Sequence, residues 1–209
     1  NPGLEPLFFF SGSKPINELE NKFLQAVPST VTGIVRGKDT IDYKGLKINI
    51  VSLAGHSLDQ IGIECDNVLF CGDAFFSKHV LDKYKLPFVI DLDKTLESLE
   101  FLKRSSYQLY IPSHGNPTTE IKEIIDLNIS KIKKIEGDII SLLDREKTTE
   151  ELLRDLFEKF NIKVSSAQQY YLSKTTVMAY LSSLNNRSII KTGLKNNTLS
   201  WKLTSQNNL

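Results

Sequence analysis

Cysteine is scarce in this 209-residue chain, which contains only Cys65 and Cys71. The two thiols flank a short turn in registers that do not set them opposite each other, so we expect no disulfide. Long apolar runs are absent as well, because no stretch approaches the roughly 20 residues needed to cross a bilayer. These absences argue against a disulfide-stabilised scaffold and against a membrane protein, and they make the cytoplasm the expected compartment.

A strong net charge is also missing, since 26 Lys and Arg residues nearly balance 25 Asp and Glu residues. No global field therefore directs the protein to nucleic acid or to a membrane surface. Hydrophobic residues make up 40% of the chain, which at this length is enough for one good core and a small second one. Partners must accordingly be inferred from local patterns.

The first 117 residues alternate short β-rich runs with helical or turn segments, a pattern that predicts an α/β fold. Helices are expected over residues 15–26 and 93–103. Strands are expected over residues 7–10, 33–36, 47–53, 60–65, 68–71 and 108–111. From residue 118 to about 143, isoleucines recur at helical spacing, which predicts one long helix with Gly137 as a candidate break.

The tail follows a different pattern. Thr148 and Glu151 form a capping-box pair that opens one helix, and a second start near Ser166 precedes helical spacing over residues 173–186. A hairpin then follows over residues 188–192 and 198–203, with Leu199, Trp201 and Leu203 predicted on one face. Helices followed by a hairpin in so short a stretch predict a winged helix-turn-helix unit.

These patterns divide the chain into three parts. Residues 1–117 form the α/β part, and residues 118–147 form a helical segment that packs on it or leads from it. Residues 148–205 form the small winged-helix-like domain.

Candidate metal ligands follow three predicted strands, each beside a glycine. The segments are Leu53-Ala54-Gly55-His56-Ser57, Leu69-Phe70-Cys71-Gly72-Asp73 and Ile111-Pro112-Ser113-His114-Gly115. Strand ends are rigid, and glycine lets backbone approach an ion closely, so two imidazoles and a carboxylate can be aimed at one point. This donor set suits Zn²⁺, or Mn²⁺ or Fe if oxygen ligands are added. A lone His is more often a hydrogen-bonded structural residue, but two of only three histidines share this setting.

In their order and spacing, these three segments resemble the later metal-binding motifs of the metallo-β-lactamase superfamily, over about residues 7–140. The resemblance implies an αββα sandwich with a dinuclear site between its sheets. It also implies that His56 binds the first metal ion, that Asp73 bridges both ions and that His114 binds the second. Two divalent ions, with zinc as the first choice, are the implied cofactors.

The first motif of that superfamily, His-x-His-x-Asp-His, does not occur here. The chain has only His56, His79 and His114, and no two of them lie within four positions. A catalytic zinc site generally needs three protein ligands and an open position, so these residues alone supply too few. We expect the missing ligands in a segment upstream of Asn1 or in a complementary chain, with loss of the site as the alternative.

A completed site implies a hydrolase in which metal-bound hydroxide attacks an ester, thioester or phosphodiester. Residues 76–85, just after Asp73, are rich in cations and are predicted to form a loop. Within it, Lys78 and Lys83 are candidate contacts for an anionic substrate. An ordinary solvated loop is the alternative.

The tail is more basic than the rest of the chain. Residues 148–204 carry eight Lys or Arg against four Asp or Glu, whereas residues 1–147 carry eighteen against twenty-one. A nucleic-acid surface is one explanation, with the helix at residues 173–186 as reader and the hairpin as wing. Its cations would be Lys174, Arg187, Lys191, Lys195 and Lys202. Two alternatives to a plain hydrolase follow: a nucleic-acid-binding or regulatory protein built on an inactive sandwich, and a metal-dependent ribonuclease.

Overall fold

The computed structural model describes residues 12–21, 24 and 29–204, apart from the side chain of Lys195. A short 3₁₀ turn at Asn17–Leu19 precedes the other regular elements of these ranges. In chain order those are β1 (Thr40–Tyr43), β2 (Leu46–Ser52), β3 (Ile61–Cys65), β4 (Val68–Gly72), α1 (Lys78–Lys83), α2 (Leu92–Arg104), β5 (Leu109–Pro112), α3 (Ile121–Leu142), β6 (Lys147–Thr148), α4 (Thr149–Phe160), α5 (Ala167–Asn186), β7 (Ile190–Lys195) and β8 (Thr198–Leu203). No helix of the described ranges is both long and apolar enough to cross a membrane.

Strands β1 to β5 form one sheet in sequential order, antiparallel except for the parallel pair β4 and β5. A parallel pair needs a long crossover, which α1 and α2 provide. On one face of the sheet, Leu69 and Tyr110 are buried against α2 and α3. On the other face, Phe70 is 47% exposed. The described residues thus supply one sheet of the predicted αββα sandwich, with helices covering one of its faces.

The C-terminal unit, residues 144–204, has a second core and a three-stranded sheet in the order β6–β8–β7. Its buried residues come from the second half of α3, from α4 and α5, from the hairpin, and from the residues at and just before the start of α2, and they include Val89, Leu92, Ile135, Ile139, Leu152, Leu153, Leu156, Val177, Leu181, Leu184, Ile190 and Trp201. The same helix α3 contributes Ile121 and Ile125 to the first core. Helix α3 therefore joins the two cores.

Local signals explain several element boundaries. The predicted capping box is present, since Glu151 N donates to Thr148 Oγ1 at 3.1 Å and Thr148 N donates to Glu151 Oε2 at 2.8 Å. The predicted hairpin is also present, with Asn196 and Asn197 both at positive φ as a tight β-turn requires. Strands β2 to β5 and helix α2 lie within one or two residues of their predicted bounds.

Two predictions about strands are wrong, and a third lies outside the described residues. Residues 33–36 have no regular structure, and the edge strand β1 was missed because all four of its side chains are exposed. Within β8, the regular register places Leu199, Trp201 and Leu203 on one face as predicted, with Leu199 exposed near the turn end of the strand. The strand predicted at residues 7–10 falls outside the described ranges.

The helices also differ from prediction. Described residues of the predicted helix 15–26 form only the turn at Asn17–Leu19. Helix α3 runs through Gly137 without a break, because one helical glycine costs only about 1 kcal/mol and the packing of α3 in two cores outweighs it. Residues Lys78–Lys83 of the predicted loop after Asp73 form helix α1. The predicted helix start near Ser166 is present, since Ser166 caps α5 by accepting a hydrogen bond from Gln169 N at 3.2 Å, and α5 runs from Ala167 without interruption through the predicted range 173–186.

Candidate metal centre

His56, Asp73 and His114 follow strands that end at one edge of the sheet. Strand β2 is antiparallel to β3, which is antiparallel to β4, so β2, β4 and β5 all run in the same direction. Their carboxyl ends therefore meet. This shared direction is what brings three segments that are far apart in sequence to one place.

The Asp73 carboxylate lies between the two imidazoles. Its Oδ2 is 3.8 Å from His56 Nε2, and its Oδ1 is 3.8 Å from His114 Nε2. These separations are too long for hydrogen bonds. They are shorter than two metal–ligand bonds of about 2.0–2.2 Å placed end to end, so one cation fits between each imidazole and the carboxylate. The structure thus brings together the three residues that the sequence singled out.

One oxygen of Asp73 is left without a partner. The Oδ1 atom is buried and accepts no hydrogen bond from any residue in the described ranges. A buried carboxylate oxygen with no partner is costly, and such groups call for an explanation such as an ion or a water molecule. A cation on Oδ1 would remove that cost.

The imidazole of His56 is oriented by its surroundings. Its Nδ1 lies 3.3 Å from the carbonyl oxygen of Phe88, and the rings of Phe88 and Phe76 meet it edge to face. With the proton on Nδ1, the Nε2 lone pair faces Asp73, as a metal ligand requires. Burial lowers the pKa of His56, and the Asp73 carboxylate and the Phe88 carbonyl offset this only in part. The neutral imidazole, the form that binds metal, is therefore favoured at neutral pH.

The structural role of Gly55 differs from the predicted one, which was to let the backbone approach an ion. Its φ is +139°, and a Cβ at this position would lie 2.3 Å from Thr95 Oγ1, so the close approach is to helix α2 rather than to an ion. The Gly55 carbonyl also accepts hydrogen bonds from Ile90 N and Asp91 N, both at 3.0 Å. The His56 loop is thereby fixed to the start of α2.

The donor set is chemically suitable but incomplete. In residues 12–21, 24 and 29–204, no group of three or more His, Cys, Asp or Glu side chains is placed to hold an ion. Each imidazole lies near one further donor, the Asp73 carboxylate, so each cation would have two protein ligands. A typical catalytic zinc site has three. The residue types therefore fit a metal centre, and their number falls short of one.

The predicted substrate contacts lie on α1, the helix that follows Asp73. Lys78 and Lys83 are exposed on α1, and the Lys83 ammonium lies 5.1 Å from the centre of the Tyr84 ring. A half-buried cation that the sequence analysis missed is Lys131 of α3, whose Nζ donates to Leu81 O at 3.1 Å. It lines a cavity of about 30 Å³ together with His56 and Asp73. That volume holds one or two water molecules and no substrate group.

Lys174, Lys202 and Arg187, three of the tail cations, are ion-paired. Lys174 Nζ contacts Glu150 Oε1 at 2.8 Å, Lys202 Nζ contacts Glu146 Oε2 at 3.3 Å, and Arg187 pairs with Glu136. Counting charges in the sequence missed this pairing, because Glu136 and Glu146 precede the tail in sequence. Helix α5 is largely covered, since Gln169, Ser182 and Asn186 are its exposed residues. The predicted nucleic-acid surface stays a prediction.

Solved structures with the same fold support the architecture. A metallo-beta-lactamase family protein from Thermus thermophilus superposes with a TM-score of 0.71 at 18% identity, over 97% of this chain and 64% of that one. The chain has the metallo-β-lactamase fold. A beta-lactamase domain protein from Burkholderia ambifaria matches with a TM-score of 0.68 at 17% identity, over 86% of this chain and 54% of that one. No protein-family model and no curated protein matches the sequence.

These comparisons define what is established. At such low identity they show the fold alone, and this chain spans 64% and 54% of the two matched structures. The predicted α/β fold of metallo-β-lactamase type is confirmed at that level. The metal, the reaction and the substrate remain to be argued from the site.

Proposed function

We propose that the chain is part of a metal-dependent hydrolase with a dinuclear centre at the edge of the five-stranded sheet. The observation that carries the proposal is the Asp73 carboxylate, which presents a different oxygen to each of two imidazoles at 3.8 Å. A carboxylate between two cations uses its oxygens in this way. The unpartnered Oδ1 supports the same assignment.

His56 would bind one ion, His114 the other, and Asp73 both. Zinc suits this nitrogen and oxygen donor set best, with manganese or iron as alternatives if oxygen donors are added. When bound, the ions supply an acidified water and neutralise negative charge that develops on an ester, thioester or phosphodiester. The remaining ligands would come from polypeptide outside these 209 residues, whether on the same chain or on a partner.

The residues around the ligands orient them. The Phe88 carbonyl holds the His56 tautomer through Nδ1, and the Phe76 and Phe88 rings shield two sides of the imidazole from water. A fixed imidazole tautomer and an apolar surrounding that limits access of water to the imidazole both strengthen metal binding. Lys78 and Lys83 on the adjacent helix α1 are the proposed contacts for an anionic substrate.

A second candidate function rests on the C-terminal unit. Its order of two helices and a hairpin, with a sheet arranged β6–β8–β7, supports the winged-helix assignment. Lys191 is exposed on the hairpin, where a wing would contact a phosphate backbone. On this view the C-terminal unit binds nucleic acid and the sandwich is a catalytically inactive scaffold. Alternatively, the C-terminal unit holds RNA and the metal site cleaves it.

Metal analysis of the protein from its complete reading frame separates these functions. The hydrolase proposal expects about two ions per chain, and it expects His56→Ala and Asp73→Ala to lose both the metal and the turnover of ester, thioester and phosphodiester substrates. A purely nucleic-acid-binding protein would instead bind DNA or RNA in a salt-dependent manner that survives those two substitutions. A ribonuclease would cleave generic RNA and stop on addition of a chelator.

A further inference from the structure

Asn128 is a buried side chain of α3 that hydrogen-bonds the segment following Asp73. Its Oδ1 accepts from Phe76 N at 2.9 Å, and its Nδ2 donates to Phe76 O at 2.8 Å. The same Nδ2 donates to Ile124 O at 2.8 Å. One carboxamide thus satisfies both backbone groups of Phe76. A buried amide is tolerated only when it is bonded in this way.

The sequence position of Asn128 is itself informative. The core face of α3 is marked by buried or half-buried isoleucines, and Asn128 takes the position that falls between Ile125 and Ile132 on that face. An apolar residue there would extend the stripe without the cost of burying an amide. Because Asn128 is 4% exposed and its amide is directed at Phe76, its use is to hold that residue.

The segment that carries Asp73 is fastened at both ends. At the sheet end, Gly72 O accepts from Ser113 N at 2.8 Å, which ties it to the strand leading to His114. At the helix end, Asn128 holds Phe76. Between these two anchors Asp73 has no hydrogen bond of its own to Oδ1. The direction of its carboxylate therefore depends on how the segment is held, which is by these two anchors and by the burial of Ala74 and Phe75 in the first core.

Phe76 also touches the other ligand. Its ring meets the His56 imidazole edge to face, with the ring centres 6.0 Å apart. On another side of the imidazole stands Phe88, at 5.2 Å. Displacement of Phe76 would therefore remove one of the two aromatic contacts of the His56 imidazole. It would also release the helix end of the segment that carries Asp73.

We infer that Asn128 is a positioning residue of the His56–Asp73–His114 site, which aims the carboxylate through the Phe76 backbone and confines the imidazole through the Phe76 ring. The effect on metal binding rests on the proposed function. The effect on the geometry of His56 and Phe76 does not. The two can therefore be tested separately.

The metal arm compares Co²⁺ titrations of the parent and of Asn128→Ser, followed by visible absorption on the complete protein. Serine is too short to reach Phe76, so Co²⁺ affinity should fall by about 10- to 100-fold, as expected when a group that orients a ligand is lost. The matched control is Thr149→Val, which removes the buried hydrogen bond from Trp201 Nε1 in the other core. This control should lower the melting temperature and leave Co²⁺ affinity unchanged. Equal losses of affinity in both variants would show general loosening and would overturn the inference.

The metal-free arm uses hydrogen exchange and the histidine ring resonances. Asn128→Ser should speed exchange of the Phe76 amide and shift the His56 ring signals, which single substitutions assign because the chain has only three histidines. Signals of His79, which is exposed on α1, serve as the internal reference. Unchanged His56 signals in a variant whose Phe76 amide has become labile would contradict the inference.

A second variant guards against failure to fold. Asn128→Leu continues the apolar stripe of α3 and loses the contacts with both Phe76 N and Phe76 O, so it should speed exchange of the Phe76 amide and shift the His56 ring signals in a helix that still packs. Native-like ring signals in this variant would likewise count against the inference. If the parent binds no Co²⁺, the proposed function fails while the metal-free arm still gives an answer.

Discussion

In the C-terminal unit, the side chain of Lys147 is 7% exposed, and its ammonium lies 2.9 Å from carboxylate oxygens of both Asp144 and Asp155. At the end of β4, the carboxylate of Asp73 lies 3.8 Å from two imidazoles, and its Oδ1 has no partner in the described ranges. Both clusters gather ionisable groups, but the buried Lys147 of the first has two close carboxylate partners, whereas one buried oxygen of the second has no hydrogen bond. A buried charge with close partners needs no ligand, whereas an unpartnered buried carboxylate oxygen calls for an explanation such as an ion or a water molecule.

This contrast predicts different consequences of substitution in the two regions. Changes at Asp73 should alter binding more than stability, and changes at Lys147 should alter stability more than binding. A residue that serves both purposes, such as Gly55, should affect both. We expect the effects to decrease in the order Asp73, Lys147, Gly55 and Asp138.

Asp73→Ala should weaken metal binding by more than about 100-fold, because it removes the ligand that both metal ions would share. Loss of a ligand should lower the affinity more than loss of a group that only orients a ligand. Stability without metal should change little or rise, since an unpartnered buried oxygen is removed. Metal content and thermal melting of the complete protein measure the two effects. Retained metal would refute the assignment of Asp73.

Lys147→Met should lower the free energy of unfolding by up to about 3 kcal/mol, because it removes the closer partner of the mostly buried Asp155 and leaves it only Arg154, at 3.6 Å. Metal affinity of the folded protein should stay at the parent value. Denaturant unfolding and Co²⁺ titration check the pair of expectations. A loss of affinity as large as that of Asp73→Ala would erase the distinction between the two regions.

Gly55→Ala should cost about 1–3 kcal/mol, since alanine is strained at a φ of +139° and its Cβ would collide with Thr95. It should also weaken metal binding, because the neighbouring His56 would move with the loop. Gly45→Ala is the matched control, as this glycine also has a positive φ but no atom lies near its missing Cβ. The control should cost stability and leave metal binding intact.

Asp138 of α3, which pairs with Lys134 and Lys159, provides a pH test of a carboxylate that has close partners. Burial acts to raise its pKa, but hydrogen bonds and charge from Lys159 and Lys134 outweigh burial and lower the pKa below 3.8. Its contribution to stability is therefore complete above pH 3.8 and is lost as the pH falls through the lowered value. Asp138→Asn should cost about 1 kcal/mol at neutral pH and should flatten the acid limb of a stability profile. An unchanged acid limb would mean that the pairs contribute nothing.

The proximity of His56, Asp73 and His114 could be predicted from sequence because strand-end glycines and their neighbouring side chains form a local pattern. Helix α2, strands β2 to β5 and the capping box of α4 were predictable for the same reason. Asn128 could not be found in this way, since its value lies in a contact with Phe76, 52 positions away. Nor could the pairing of Arg187 with Glu136, which crosses from α5 to α3. Long-range partners were the part that sequence patterns did not reveal.

The mistaken elements have a common physical cause. Strand β1 was missed because an exposed edge strand has no buried face, and α1 was mistaken for a loop because it has only six residues and one buried side chain, Leu81. Helix α3 passes through Gly137 because two cores hold it. In each case packing, rather than the local preference of the residues, decides the outcome.

Anomalous diffraction from crystals of the complete protein grown with Zn²⁺ is the decisive test of a dinuclear centre at Asp73. Two peaks are expected, one about 2.0–2.2 Å from His56 Nε2 and the other at the same distance from His114 Nε2, each also bound to an Asp73 oxygen. Zinc bound elsewhere, with Asp73 free of any peak, would show that no such centre exists.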